Sequence, residues 1–407
     1  MPVFFRPTQT FRSLLILLAV APLLAACGSS GALRTLGGAP RTGHERYARA
    51  LRDAGLDSTG LGREWLAAGD SALRAAYRVS LPARELGVYS RNEARAVAYR
   101  IALRDGERLR VTLRADGAPA RLYLDLFEIS GDSVATYEHR ASADEAPATD
   151  SAAALLTLQH EATRDGTYAL RLQPELLRTG RFELAIRVEP ILAFPVEGRG
   201  NAAIQSLFGV DRDGGRRAHH GIDIFAPRGT PVLAATDGVV RSTSPNNLGG
   251  NVVWLADGRR PQTLYYAHLD RHTVSDGQQV RTGDTLGFVG NSGNARTTAP
   301  HLHFGIYTRD GPIDPLRYVR QVTADAPRIT GDTSVLGRRA RLVSAQPLRR
   351  SADSGERMPG EVPGATTVHI MGAAADRFRV QLDDGTSGYV AARAVRVEEE
   401  RPRGRQR

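Results

Sequence analysis

Alternation of apolar and polar side chains dominates the chain between residues 84 and 190. Apolar residues recur there at every second position in five short runs, at 97–103, 109–113, 122–126, 168–172 and 182–188. Neighbouring side chains of a strand point to opposite faces, so this period predicts strands with one buried face. Several such strands, separated by turns that contain Gly and Asp, predict a β-sandwich. The acidic, Ala-rich residues 140–152 predict a long mobile loop inside it.

Before this region, apolar residues recur at the spacing of an α-helix. Residues 45–54 and 61–77 predict two helices. The apolar positions of the second recur at helical spacing: Leu61, Trp65, Ala72, Leu73, Ala76 and Tyr77. Asp57, Ser58 and Thr59 are N-cap candidates just before it. We interpret the pair as a structural spacer rather than a partner-binding surface.

A second β-patterned region follows a proline-containing linker at residues 191–201. Its turn dipeptides are Asp237-Gly238, Asp257-Gly258, Asp276-Gly277 and Gly283-Asp284. Six strands are predicted between them, at 232–235, 239–242, 251–255, 264–268, 286–289 and 301–307. The region shows no amphipathic helix, so it is predicted to be all β. A smaller β pattern returns after another linker that ends at Ser334.

Histidines concentrate in the second β region. Six of the ten in the chain lie there, at positions 219, 220, 268, 272, 301 and 303. Side chains at i and i+2 of a strand share a face roughly 6.6 Å apart, so His301 and His303 face the same way. One of them can be a ligand while the other lies beside it. His219 and Asp223 are four residues apart, and Gly221 between them is expected to let the backbone bend so that both converge.

Imidazole nitrogens and a carboxylate are ligands that suit zinc where thiolates are absent. A catalytic zinc needs three protein ligands and one open position for water. A lone His-x-His is more often an ordinary strand, so the zinc interpretation depends on the conjunction of these motifs in this order. His220 is interpreted as an outer or surface residue and His272 as solvated. The histidines at 44, 139, 160 and 369 have no partners in sequence.

The same motifs carry a resemblance. His-x-Gly-x-Asp at 219–223, Tyr-x-His-Leu at 266–269 and His-Leu-His-Phe at 301–304 resemble the LytM/lysostaphin-type zinc endopeptidases (peptidase family M23). Supporting matches are the segments 206–209, 226–232, 237–240 and 290–293. The resemblance spans residues 194–319. It implies an antiparallel sheet with an open groove, one zinc ion on His219, Asp223 and His303, and catalytic roles for His268 and His301.

The resemblance also implies a reaction, hydrolysis of peptide crosslinks in peptidoglycan. Some relatives of this family have lost ligands and act only as amidase activators, whereas the full set is present here. A catalytically silent lipoprotein that binds wall or a partner amidase through the same groove is the alternative. A zinc peptidase acting on proteins is a third possibility. Another zinc-hydrolase fold is disfavoured because no His-Glu-x-x-His is present.

The N-terminal residues predict export. A basic start and a short apolar run precede Leu24-Ala25-Ala26-Cys27, which is the pattern of a secretory signal peptide. The last four residues resemble a bacterial lipobox, which implies cleavage before Cys27 and acylation of this single cysteine. Acyl chains would anchor the protein in a lipid bilayer. Gly28 points to the periplasmic face of the outer membrane as the location.

Charge and composition add limits on partners. The formal net charge is +10 and every basic residue is arginine, which suits an anionic partner such as cell wall or lipid head groups. Nucleic acid is not expected, because the chain is predicted to be exported and has no recognition motif. Residues 340–397 resemble a bacterial SH3-like (SH3b) domain, a small β-barrel, which implies binding to wall peptide or a purely structural packing role.

The chain is thus predicted to be mainly β and multidomain. The predicted divisions are a signal peptide at 1–26, a lipid-anchored tether with a helical segment at 27–82, a β-sandwich at 83–190, a zinc peptidase domain at 194–320, an SH3-like domain at 335–397 and a charged tail at 398–407. The sandwich is expected to position the peptidase domain.

Overall fold

A computed structural model describes residues 41–117, 120–131, 134–145, 154–353 and 355–398. Cys27 and the predicted signal peptide lie outside these residues. The described chain is mainly β and contains several sheets, as the sequence predicts. Within these ranges no helix is long and apolar enough to cross a membrane.

Both predicted helices are present near the N-terminus. Helix α1 spans Gly43–Asp53 and is capped by Thr42, whose side chain accepts a hydrogen bond from the Glu45 amide in a capping box. Helix α2 spans Gly60–Arg74, and the Thr59 side chain caps it. The second helix ends earlier than predicted, because Tyr77 begins the first strand. A third, short helix, α3, spans Leu316–Val319.

Nine strands form the predicted sandwich. In chain order they are β1 Tyr77–Arg78, β2 Ala83–Tyr89, β3 Val97–Leu103, β4 Glu107–Gly117, β5 Leu122–Ser130, β6 Thr136–Glu145, β7 Ala154–Glu161, β8 Gly166–Pro174 and β9 Gly180–Pro190. One sheet has the order β1-β3-β8-β5-β6, and the other contains β2-β9-β4-β7. Residues of both sheets, such as Tyr99 and Leu184, share one apolar core.

Strand β6 contradicts the mobile loop predicted for residues 140–152. Residues up to Glu145 continue the strand and pair with β5 along its length. Ala141 and Ala143 pack against the sandwich core, and alanine gives too weak an apolar signal for this alternation to be recognised in sequence. The rest of the predicted loop, from residue 146, lies outside the described residues.

The second β region supplies twelve strands. They are β10 Ile204–Ser206, β11 Asp211–Arg212, β12 Arg217–Ala218, β13 Ile222–Phe225, β14 Pro231–Leu233, β15 Gly238–Ser242, β16 Asn251–Asp257, β17 Thr263–His272, β18 Gln279–Val280, β19 Thr285–Val289, β20 His301–Thr308 and β21 Gly311–Ile313. Ten of them form one antiparallel sheet whose main path is β10-β13-β20-β17-β16-β15-β18. All six predicted strands are present, whereas β13, which carries Asp223, was not predicted.

The segment predicted as a linker at 191–201 is packed instead. Leu192, Phe194 and Val196 are buried in the core of the ten-stranded sheet. Val196 also forms a β-bridge with Val232. Pro190 and Pro195 flank and interrupt this short segment, which is typical of a linker, so the alternation of its three buried side chains was not recognised as a sign of burial.

Five strands follow in the C-terminal part, β22 Arg339–Leu342, β23 Thr367–Ala374, β24 Arg377–Gln381, β25 Ser387–Ala391 and β26 Val395–Val397. Strand β23 pairs with β2 of the sandwich, so one nine-stranded sheet runs through both parts. Arg379 and Glu85 form a buried ion pair of 2.7 Å at this junction. Strands β25 and β26 are not paired with each other in the described chain, so the predicted small barrel is not closed there.

Candidate metal centre

Three adjacent strands carry most of the candidate site. Strand β20 lies between β13 and β17, and its His303 pairs in register with Asp223 on one side and Ala267 on the other. His301 and His303 share one face of β20, while Leu302, Phe304 and Ile306 on the other face are fully buried. The prediction that His301 and His303 share one face of this strand is confirmed.

Three donor atoms converge at the centre of this face. His219 Nε2 lies 2.9 Å from His303 Nδ1, and Asp223 Oδ1 lies 3.0 Å from each of these nitrogens. A tetrahedral zinc with bonds of about 2.0–2.1 Å separates its ligands by roughly 3.3 Å, so the triangle fits such an ion closely. His219, Asp223 and His303 are the three residues that the resemblance implied as ligands, and together they can hold a metal ion.

Hydrogen bonds to carbonyl groups fix the orientation of the His219 ring. Its Nδ1 lies 2.8 Å from the carbonyl oxygen of Leu207. A carbonyl can only accept, so Nδ1 carries the proton and Nε2 presents its lone pair to Asp223 and His303. A neutral imidazole with its second nitrogen held in this way is the usual arrangement of a histidine ligand.

Charge in the cluster also suits a cation. Burial alone would raise the pKa of Asp223, but its contacts with the His219 and His303 rings outweigh burial and hold the pKa well below its usual range. Burial lowers the pKa of His303, although Asp223 opposes this shift. The donor set is therefore one ionised carboxylate and two imidazoles. Such a set suits zinc better than it suits calcium or magnesium.

His301 and His268 lie beside the triangle. His301 Nδ1 donates to the Ala299 carbonyl at 2.8 Å, and its Nε2 lies 4.0 Å from Asp223 Oδ1. His268 Nδ1 donates to the Ser292 carbonyl at 2.9 Å. In the neutral form of each ring, Nε2 is therefore the nitrogen that can accept a proton.

The His268 ring is closely surrounded by the other histidines. Its centroid is 5.0 Å from that of His301 and 5.8 Å from that of His303. Burial, followed by the charges of His301 and His303, lowers the pKa of His268 to about 4. The structure thus brings together all five residues that the sequence analysis assigned to the site.

A backbone irregularity turns His268 toward this site. Regular alternation would place it on the same face as the buried Leu264 and Tyr266. The pairing of β16 with β17 slips between Val253 and Asn251, and His268 has a φ of 62°. A β-bulge of this kind re-aims one side chain, and such bulges are common beside active sites.

Gly221 has a different role from the one predicted. It lies outside the left-handed region of backbone conformations, so it does not supply an unusual bend. A Cβ on it would come within 2.7 Å of the His303 ring and 2.5 Å of the Phe304 carbonyl oxygen. Glycine is needed here because the neighbouring ligand occupies the space of a side chain.

Sequence reasoning missed one side chain of the site. Arg212 donates from one terminal nitrogen to Asp223 Oδ2 at 2.7 Å and to Ser206 Oγ at 2.6 Å. No sequence signal identified Arg212, whereas Ser206 appeared only as part of the resemblance. His220 is exposed and lies beside Phe208, and the His272 ring contacts the Val274 carbonyl outside the cluster.

Comparisons with known proteins bear on this part of the chain. Residues 217–315 match the model of Peptidase family M23. The peptidoglycan DD-endopeptidase ShyC of Vibrio cholerae is 44% identical over 88 residues, which cover 22% of this chain and 20% of that protein. The L-Ala–D-Glu endopeptidase of Bacillus subtilis is 36% identical over 140 residues, covering 31% of this chain and 43% of that protein. The chain thus spans less than half the length of these curated relatives.

Solved structures match the same part. The catalytic domain of the antimicrobial peptidase lysostaphin from Staphylococcus simulans is 30% identical, with a TM-score of 0.25. That match covers 28% of this chain and 87% of the lysostaphin domain. By the match to the family model, residues 217–315 are an M23 peptidase family domain, and this domain includes the histidine and aspartate cluster.

Proposed function

We propose that this protein is a zinc-dependent endopeptidase that hydrolyses peptide crosslinks in peptidoglycan and carries one zinc ion per chain. One observation carries the proposal: a triangle of donor atoms from His219, Asp223 and His303 with two further imidazoles beside it. Structural zinc sites use four protein ligands, whereas three protein ligands leave the fourth position of a catalytic zinc open for water.

The residues would divide the work as follows. His219, Asp223 and His303 would hold the zinc, which when bound supplies Lewis acidity and lowers the pKa of a water molecule to near 7. His268 and His301 each present an Nε2 lone pair and can take a proton from water or later deliver it to the leaving amine. Once protonated, either ring can donate a hydrogen bond to the developing oxyanion.

The names of the relatives support peptidoglycan as the substrate. Both curated proteins described above are named as endopeptidases, one of them acting on peptidoglycan and the other on an L-Ala–D-Glu bond. The open groove that the family resemblance implies would admit an extended peptide. We therefore propose a stem peptide of peptidoglycan as the substrate, with a direct crosslink as the bond cleaved.

The remaining parts of the chain fit an enzyme of the bacterial envelope. We propose that acylated Cys27 anchors it in a lipid bilayer, at the periplasmic face of the outer membrane. Residues 83–190 would position the peptidase domain, and residues 335–397 would act as an SH3-like module that contacts wall peptide. Arginine-rich composition would favour an anionic wall polymer near the enzyme.

The test uses purified peptidoglycan and measures soluble fragments and newly freed amines. We expect release by the zinc-loaded protein, loss of release with a chelator and recovery on adding zinc. Mass spectrometry of the fragments would name the bond. If protein that holds one zinc per chain releases no fragments, catalysis is contradicted. The alternative of a groove that only binds wall or a partner amidase would then be favoured.

Single substitutions separate the roles of the histidines. His303→Ala should lose both zinc and activity, whereas His301→Ala should keep zinc and lose turnover. His272→Ala is the matched control, because this histidine lies in the same domain but outside the cluster. Loss of zinc from His301→Ala would show that the proposed division of roles is wrong.

A further inference from the structure

The two oxygens of the Asp223 carboxylate have different surroundings. Oδ1 lies 3.0 Å from His219 Nε2 and 3.0 Å from His303 Nδ1, inside the donor triangle. Oδ2 faces away from it and accepts a hydrogen bond of 2.7 Å from Arg212. The side chain of Asp223 is almost fully buried, so little solvent is available to replace that partner.

Arg212 reaches this oxygen from a separate element. Strands β11 and β12 form a two-stranded ribbon outside the ten-stranded sheet, in which Arg212 pairs with Arg217. Two glycines with φ of 71° and 85°, Gly214 and Gly215, close its turn. The ribbon therefore brings a guanidinium to the metal centre from beyond the strands that carry the ligands.

Ser206 fixes the guanidinium in place. It pairs in register with Asp223 across β10 and β13, and its hydroxyl accepts from the same Arg212 nitrogen at 2.6 Å. One nitrogen is thus held between a hydroxyl and a carboxylate oxygen. Charge-assisted hydrogen bonds of this length are among the stronger ones in proteins.

We propose that Arg212 is a positioning residue that limits Asp223 to one oxygen at the metal and so keeps a coordination position open. This inference rests on the proposed zinc site. A carboxylate can bind zinc through one oxygen or both, and binding through both would fill the position that a reacting water needs. Turning Oδ2 inward would break its bond to Arg212 and leave the partly buried guanidinium nitrogen with the Ser206 hydroxyl but without the carboxylate.

Four variants of the full chain test the proposal, and the fourth is Ser206→Ala. Arg212→Met keeps much of the side-chain length and removes the hydrogen bonds, and Arg212→Lys retains the charge. Asp211→Ala is the control, since it changes an exposed neighbour in the same ribbon. Zinc affinity is measured by competition with a chelator, and thermal unfolding of the zinc-free proteins checks that the ribbon is intact.

We expect a 10–100-fold loss of zinc affinity for Arg212→Met, in line with the effect of other groups that orient metal ligands. Arg212→Lys should recover part of the loss, and Asp211→Ala should match the unsubstituted protein. Ser206→Ala, which leaves Arg212 in place, should give a smaller loss in the same direction. Zinc affinity of Arg212→Met within twofold of the unsubstituted protein would overturn the proposal.

Cobalt(II) gives a second readout that does not depend on activity. The visible bands of cobalt weaken when its coordination number rises from four to five. We expect weaker bands for Arg212→Met, because Asp223 is then free to bind through both oxygens. Unchanged bands would refute the proposal that Arg212 limits Asp223 to one oxygen at the metal. A protein that binds zinc and shows these effects but releases no fragments would refute the proposed function and leave this inference standing.

Discussion

A partly buried histidine on α1, outside the candidate metal centre, makes the stability of the N-terminal part depend on pH. His44 on α1 stacks on Trp65 of α2, with ring centroids 4.7 Å apart and an interplanar angle of 22°. Its Nε2 lies 2.8 Å from the side-chain oxygen of Gln173, whose amide nitrogen donates to the Trp65 carbonyl. The amide oxygen therefore accepts, so the neutral ring with a proton on Nε2 satisfies the contact.

Charged groups on three elements face this ring. Burial, followed by the positive charge of Arg171 on β8, lowers the pKa of His44 from 6.5 to about 4. Asp125 on β5 and Asp70 on α2 oppose the shift, and Asp125 is itself paired with Arg171 at 2.7 Å. The unfolded chain thus binds a proton more readily than the folded chain between these two pKa values.

The size of the effect follows from linkage. Because the folded pKa lies below the unfolded one, stability is highest above pH 6.5 and falls as the pH is lowered toward 4. The pKa of His44 is 6.5 in the unfolded chain and about 4 in the folded chain, a difference that corresponds to about 3 kcal/mol of unfolding free energy. About 2 kcal/mol of this stability should be lost between pH 7 and pH 5.

Tryptophan fluorescence measures this loss. The chain has two tryptophans, so Trp254→Phe leaves Trp65 as the reporter beside His44. Urea unfolding of this protein is compared at pH 7 and pH 5 with that of the same protein carrying His44→Gln, which cannot titrate. We expect the second protein to lose about 2 kcal/mol less over this range. Equal losses would refute the assignment of the pH dependence to His44.

Two further predictions concern close packing. Gly221→Ala should lower zinc retention at least tenfold, because the added Cβ overlaps the His303 ring. Gly200→Ala is the control, because only a flexible side chain lies near that position, and it should retain zinc. Equal metal content in the two variants would contradict the steric explanation. Arg379→Met should destabilise the chain by about 3–5 kcal/mol, because Glu85 is left buried without its cation. Adding Glu85→Gln should recover part of that loss in urea unfolding, and no recovery would argue against an uncompensated charge.

Local sequence patterns predicted the elements whose environment repeats regularly. Strand β20 follows its alternation, with Phe304 buried and His303 on the open face, because both of its neighbours are regular antiparallel strands. The cap at Thr59, one of the three predicted candidates, forms because a hydroxyl before a helix can satisfy an exposed amide. These features depend on residues close in sequence.

The features that sequence did not predict depend on pairing between distant segments. Strand β13 spans only Ile222–Phe225, which is too short for the alternation of Ile222, Asp223 and Ile224 to be recognised as a strand. The pairing of β2 with β23 joins segments almost three hundred residues apart and uses backbone groups, for which no side-chain pattern exists. The bulge at His268 is likewise a property of how β16 and β17 pair.

The same reasoning explains why sequence could propose residues for the candidate metal centre but not its geometry. The proton positions of His219, His268 and His301 are set by the carbonyl groups of Leu207, Ser292 and Ala299. Every residue has a carbonyl group, so sequence carries no signature of these acceptors. The side chains at positions 207 and 299 can therefore change without altering which ring nitrogen is protonated, whereas a shift in the backbone of either loop would release the ring that it orients.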